Sequence, residues 1–263
     1  MKDLSSAGRI FYGIAIFGIG FLTVYYNDFP YMLIPPKHQG IPGIVILVSG
    51  ILLLLAGALI ISAQKARLIS LLLGTVLLLI FCFYFIPYEF MVSPNYMHFG
   101  DWENAAKELA LSGGAFVIAG CFPEKNENTI TRFLKKLIPL GTILFSITII
   151  SFGIDHFIYG EQAADYVPSW IPYHIFWIYF AGAALLGAGL AVVLKIRPVL
   201  AATLLGIMIF SWVIMLHIPR IVVSPAAYMG SEVTSALIAL AYSGIAFVIA
   251  GAAKKQQAKQ MLH

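Results

Sequence analysis

Seven side chains in the second half of this chain have types that suit proton and hydrogen-bond chemistry: Asp155 and His156, His174 and Trp177, His217 and Arg220, and Glu232. Imidazoles exchange protons close to neutral pH, and a carboxylate or guanidinium beside them sets the local charge. A quinone would take a hydrogen bond or proton at a carbonyl oxygen from His156, His174 or His217, with Arg220 or Asp155 setting its charge. A lipid headgroup or small solute would use the same groups for recognition. Three histidines with acids at one level also suit zinc, iron, copper or haem. Against a metal stands the spacing, because no His-x-x-x-His or Glu-x-x-His pair puts two ligands on one helix face. A structural use is open too: His217 and Arg220 share a helical face and suit headgroup contact or capping, and Asp155 with Arg220 would make an interhelical ion pair. The sequence has no glycine-rich phosphate loop, Gly-x-Ser-x-Gly elbow or dinucleotide fingerprint.

Helices in lipid must position these groups. The chain is 60% hydrophobic and 11% charged, with a mean hydropathy of +0.91, whereas roughly a quarter of a soluble domain is charged. About 20 helical residues cross a hydrocarbon core of roughly 30 Å, and eight such stretches are legible at 9–27, 42–62, 67–87, 105–122, 136–159, 173–194, 198–218 and 232–252. Strands exposed to lipid would leave backbone groups unpaired, and the short alternating segments of a barrel are missing. The expected fold is all-α, a polytopic membrane protein of eight transmembrane helices. Lys2 and Arg9 before the first apolar run resemble a secretory signal, but no small-x-small cleavage site closes Ile10 to Tyr25.

Charge predicts the orientation. Thirteen of the 16 Lys and Arg residues fall at the N-terminus, in the 62–67, 123–136 and 195–197 stretches, or after the last span. Lys37, Lys107 and Arg220 fall on the opposite side, with most of the acids, including Asp28, Glu89, Asp101, Glu103 and Glu108. The bias predicts cytoplasmic termini in a bacterial-type inner (plasma) membrane. The basic balance is thus an orientation signal, and no nucleic-acid partner is expected. Cys82 and Cys121 fall near opposite ends of their spans, too far apart for a disulfide. Outer connections are longer than inner ones, and Glu161, Asp165 and Lys37 within them read as solvated surface. Asp101 and Glu232 each follow a small residue where a fourth helix opens, which suits a capping role.

The chain also repeats itself. SGGAFVIAG at 112–120 returns as SGIAFVIAG at 243–251, Leu72-Leu73-Gly74 as Leu204-Leu205-Gly206, Ile86-Pro87 as Ile218-Pro219, and Val92-Ser93-Pro94 as Val223-Ser224-Pro225. This implies two four-helix repeats in parallel orientation, 1–122 and 137–252, joined by a polar linker at 123–136 and followed by a basic tail at 253–263. The halves differ at the chemistry-bearing positions. Val24-Tyr25 stands where the second half has Asp155-His156, Phe85 stands for His217, and Tyr88 for Arg220. An ionisable group at membrane depth costs at least about 2.5 kcal/mol unless paired or wet, so a pocket near the outer face of the second repeat is expected. A transporter is disfavoured by the expected absence of broken helices and of ionisable residues at mid-depth.

The run Gly153-Ile154-Asp155-His156-Phe157, then Val167-Pro168-Ser169-Trp170-Ile171-Pro172, His174, Trp177, Tyr179, Gly182, Leu204-Leu205-Gly206, Met208, Trp212 and Leu216-His217-Ile218-Pro219-Arg220 resembles the DoxX-like membrane proteins. The resemblance covers Gly153 to Arg220 most specifically. In the first half Ile34-Pro35-Pro36 and Ile86-Pro87 survive without the histidines, as a degenerate copy would. The family takes its name from a subunit of thiosulfate:quinone oxidoreductase. The resemblance therefore implies a membrane subunit of a quinone-linked redox complex, with a redox partner subunit. The alternatives are a lipid or solute binding and transport module, or a membrane scaffold.

Overall fold

A computed structural model describes residues 3–30, 34, 40–93, 97–123, 129–224 and 230–261. Lys37, residues 94–96, linker residues 124–128, residues 225–229 and the side chain of Asp101 lie outside this description. Eight long helices carry the fold: α1 (Asp3–Tyr26), α2 (Gly43–Ile61), α3 (Ala66–Met91), α4 (Glu103–Gly120), α5 (Leu140–Ile158), α6 (His174–Val193), α7 (Pro198–Val223) and α8 (Ser231–Gln260). No strand occurs among the described residues.

Seven of these helices are long and apolar enough to cross a membrane. The expectation of eight apolar spans is corrected at α4, which has the length but carries Glu103, Lys107 and Glu108 within its 18 residues. The reason is its surroundings. Every residue from Ala110 to Ala119 is buried against protein, so α4 does not have to be apolar to avoid lipid. The same holds for α8, buried without a break from Ala241 to Ala250. These two stretches contain all but the last residue of each repeated nonapeptide. Any change there meets protein on every side, which is where two halves of a chain have least freedom to differ.

Helix neighbours follow one closed path. Each helix packs on the next in sequence, α8 packs extensively on α1, and α4 and α8 touch across the middle. Each half's fourth helix thus lies against the first helix of the other half. Glycine sets the closest approaches. A Cβ on Gly8 would lie 2.3 Å from the Gly244 carbonyl oxygen, and one on Gly113 would lie 2.7 Å from that of Gly141. Ser112 Oγ donates to the Gly74 carbonyl at 2.7 Å, and Ser243 Oγ to that of Gly206 at 2.9 Å, the same contact at corresponding positions. The α2–α3 and α6–α7 turns also match, with positive φ at Ala63 and Lys65 and again at Lys195 and Arg197.

The helices facing outward expose Leu52, Leu55, Val76, Phe83, Ile147, Phe180, Leu204 and Ile207. Apolar surface on that scale belongs against lipid, as in a polytopic membrane protein. At the end that holds the N-terminus, Arg9 donates to the Ile60 and Ile61 carbonyls, and Arg67 to Ala119 and Phe122. Both guanidiniums satisfy the last carbonyls of a neighbouring helix, where positive charge also meets the negative end of its dipole. The tail expected from residue 253 continues α8 as exposed helix to Gln260.

The expectation of unbroken spans is revised as well. α3 contains a π-helical turn at Phe81–Phe85 and α7 one at Val213–His217, each followed by Ile-Pro. Pro87 and Pro219 supply no N–H and crowd the carbonyl four residues back. A wider turn relieves that conflict while keeping the helix continuous.

Candidate functional site

Asp155 and His156 occupy the last turn of α5, beside the first turns of α4. Asp155 is half-buried, and its Oδ1 is enclosed with no hydrogen-bond partner. The charges of Glu103 and Lys107 act on it from α4. His156 Nδ1 lies 2.7 Å from the Phe152 carbonyl. A carbonyl oxygen only accepts, so Nδ1 carries the proton and Nε2 of the neutral ring is left as an acceptor. The imidazole lies nearly parallel to the Trp212 indole of α7, 21° apart with centroids separated by 6.3 Å. Its Cβ rests against Gly182, where a methyl group would come within 2.8 Å. The imidazole, with free acceptor capacity at Nε2, thus sits beside the Trp212 indole, and the enclosed Asp155 oxygen belongs to the adjacent residue.

Arg220 and Glu232 form a second group. The guanidinium donates through Nε to Oε2 at 2.9 Å and through its other nitrogen to Oε1 at 2.6 Å, a two-bond fork. Its centre stands 4.4 Å over the Tyr166 ring. The Asp155–Arg220 ion pair weighed from sequence is therefore replaced by Arg220–Glu232. Glu232 stands in the first turn of α8, where an acid meets the positive end of the helix dipole as expected, although the residue before the helix, left-handed Gly230, supplies no side-chain bond. His217 ends the π turn within the field of both charges, and its Nδ1 is buried without a partner.

The remaining candidates face outward. His174 opens α6, partly exposed and without a hydrogen bond or ion pair among the described residues. Trp177 donates its indole N–H to the Pro172 carbonyl at 3.1 Å and packs edge-on against Phe176 and Phe180. Being 44% exposed, it fits the aromatic belt better than a ligand wall. The seven residues do not form one constellation: the outer ends of α5 and α7 hold separate groups, and α6 presents its pair to the surroundings. Among the described residues no three of His, Cys, Asp and Glu cluster closely enough to share a metal ion.

Reasoning from sequence missed the contribution of α4. Glu103 is half exposed and bonds Lys107 at 2.9 Å, while Lys107 also donates to Asn104 at 3.2 Å. The Tyr242 hydroxyl of α8 donates to the Lys107 carbonyl at 3.3 Å, and Thr148 of α5 donates to Ala106 at 2.9 Å. One turn deeper, Glu108 is 1% exposed, and its charge acts on Tyr12 of α1 and Tyr242. The signal was the asymmetry between halves read in the other direction. Glu103, Lys107 and Glu108 stand where α8 has Thr234, Ile238 and Ala239. The polar region thus lies on a seam to which both halves contribute.

The groups at this end of α5 that could meet a ligand are the unpartnered Asp155 oxygen and the His156 imidazole beside the Trp212 indole. The chain matches no protein-family model, and neither curated proteins nor solved structures include a significant match to it.

Proposed function

We propose that the chain is a DoxX-like protein of a bacterial-type inner membrane, built from two tandem four-helix units with both termini cytoplasmic, and that it is the quinone-handling membrane subunit of a redox complex. The observation that carries this reading is the Asp155–His156 pair. Nδ1 of His156 is committed to Phe152, so Nε2 would meet a ring hydroxyl as acceptor, and the adjacent residue, Asp155, holds an unpartnered oxygen. Bound there, a quinol would be oriented by these two groups and by stacking on Trp212, and its hydroxyl proton would have an acceptor in place. The ring supplies two-electron chemistry, and its electrons would be exchanged with a partner subunit. Glu103 of α4 sets the charge around the pair from the first half.

A lipid headgroup or small anionic solute is the weaker reading. Arg220, the cation best suited to hold it, is already forked onto Glu232.

The test is the ligand content of protein isolated in native-lipid nanodiscs. The wild-type extract should contain quinone, seen as a redox difference spectrum, and His156→Gln and Asp155→Asn should lose it while remaining inserted and helical. A wild-type extract without quinone, combined with no binding of added short-chain quinone, removes the redox reading.

A further inference from the structure

Glu108 takes no part in the contacts of the outer groups, yet it is one of only two buried carboxyls among the described residues, the other being Glu89. Its Oε2 is enclosed and has no hydrogen-bond partner. Lys107, the nearest cation in sequence, is held by Glu103 and Asn104 instead. A carboxylate left alone in a low-dielectric interior costs on the order of several kcal/mol, so a side chain placed this way needs a proton or a desolvated cation. Packing does not call for the acid, because the corresponding position of α8 is filled by Ala239, which is likewise buried.

The surroundings favour a proton. The titratable groups coupled electrostatically to Glu108 are the Tyr12 phenol from α1 and the Tyr242 phenol from α8, whose hydroxyls donate to the Leu111 and Lys107 carbonyls of α4 itself. Tyr242 also lies in the field of Glu103, which acts in turn on Asp155 and His156 of α5. Five residues of helix, roughly 7.5 Å of rise, separate Glu103 from Glu108. Glu103 thus stands at the partly exposed end of α4 with Glu108 further inside, and among the described residues no group of three His, Cys, Asp or Glu side chains stands ready to replace the water of a metal cation.

We propose that Glu108 is an interior proton-binding site, loaded from the end of the bundle where Glu103 and Asp155 lie. In each step one O–H bond breaks on a carboxyl or phenol as another forms on the next oxygen, and no electron moves. The proposal adds a proton store to the ring-binding site described above, and its test uses no ring ligand, so either can fail without the other.

Full-length protein in native-lipid nanodiscs is treated with dicyclohexylcarbodiimide, which modifies protonated carboxyls in apolar surroundings, and the adducts are mapped by peptide mass spectrometry. An adduct on Glu108 is expected, with no protection by sodium ions. In the infrared, a carboxylic-acid carbonyl band should be present in the wild type, absent in Glu108→Gln and retained in shifted form in Glu108→Asp. Its exchange in D2O should slow in Asp155→Asn. Labelling of Glu89 without Glu108, sodium protection of Glu108, a band unchanged in Glu108→Gln, or exchange unaffected by Asp155→Asn would each overturn the proposal.

Discussion

Charged side chains at the ends of α5 and α7 have been put to different uses by their partners. Arg220 and Asp155 had equal standing in the sequence, yet Arg220 is forked onto Glu232 while Asp155 keeps an unpartnered oxygen. The fork has a testable weight. Arg220→Ala leaves Glu232 partly enclosed without its cation and should lower unfolding stability by about 1–2 kcal/mol in denaturant titrations. Arg220→Met combined with Glu232→Leu should recover most of that loss, because the stranded charge is gone. Equal losses in the single and double variants would mean that the pair is not what holds the two helix ends. The partner of Arg220 was hidden in the sequence because pairing across helices depends on rotation about each axis, and a π turn inside α7 shifts that rotation after Trp212.

Helix identity was legible almost throughout, since apolar runs of membrane length leave few alternatives in lipid. The boundaries of α2, α6 and α7 fall close to the stretches predicted for them. What composition obscured was which helices lie inside. α4 and α8 occupy the centre with opposite polarity, and α4 carries acids that a lipid-facing helix would not tolerate. Glycine positions give the sharpest test at this scale. Gly8→Ala drives a methyl group into the Gly244 backbone and should cost about 1–3 kcal/mol by forcing α1 from α8. A Cβ at Gly187 meets nothing within 4 Å, so Gly187→Ala should be neutral or stabilising by up to about 1 kcal/mol. Thermal unfolding in detergent distinguishes them. A Gly8→Ala variant as stable as the wild type would contradict the close α1–α8 packing.

For the whole molecule, the two halves interlock rather than stand side by side, and the polar seam follows from that arrangement. Comparing the halves revealed Asp155, His156 and His217 because the second half gains charge there, whereas Glu103, Lys107 and Glu108 read as ordinary outer-side residues. Only the packing of α4 on α5 brings Glu103 and Lys107 near Asp155 and His156, while His217 stays with Arg220 and Glu232 on α7 and α8. The charge bias predicts that a C-terminal fluorescent-protein fusion is bright and a C-terminal alkaline phosphatase fusion inactive; the reverse pattern would invert the orientation. The central claim, one site built by both halves, is tested most directly through Trp212. In a Trp102→Phe, Trp170→Phe, Trp177→Phe background, Trp212 reports short-chain quinone binding by fluorescence quenching. Adding Glu103→Gln, a change in the first half alone, should weaken that binding by about tenfold, equivalent to roughly 1.4 kcal/mol. An identical dissociation constant with and without Glu103→Gln would contradict the shared site.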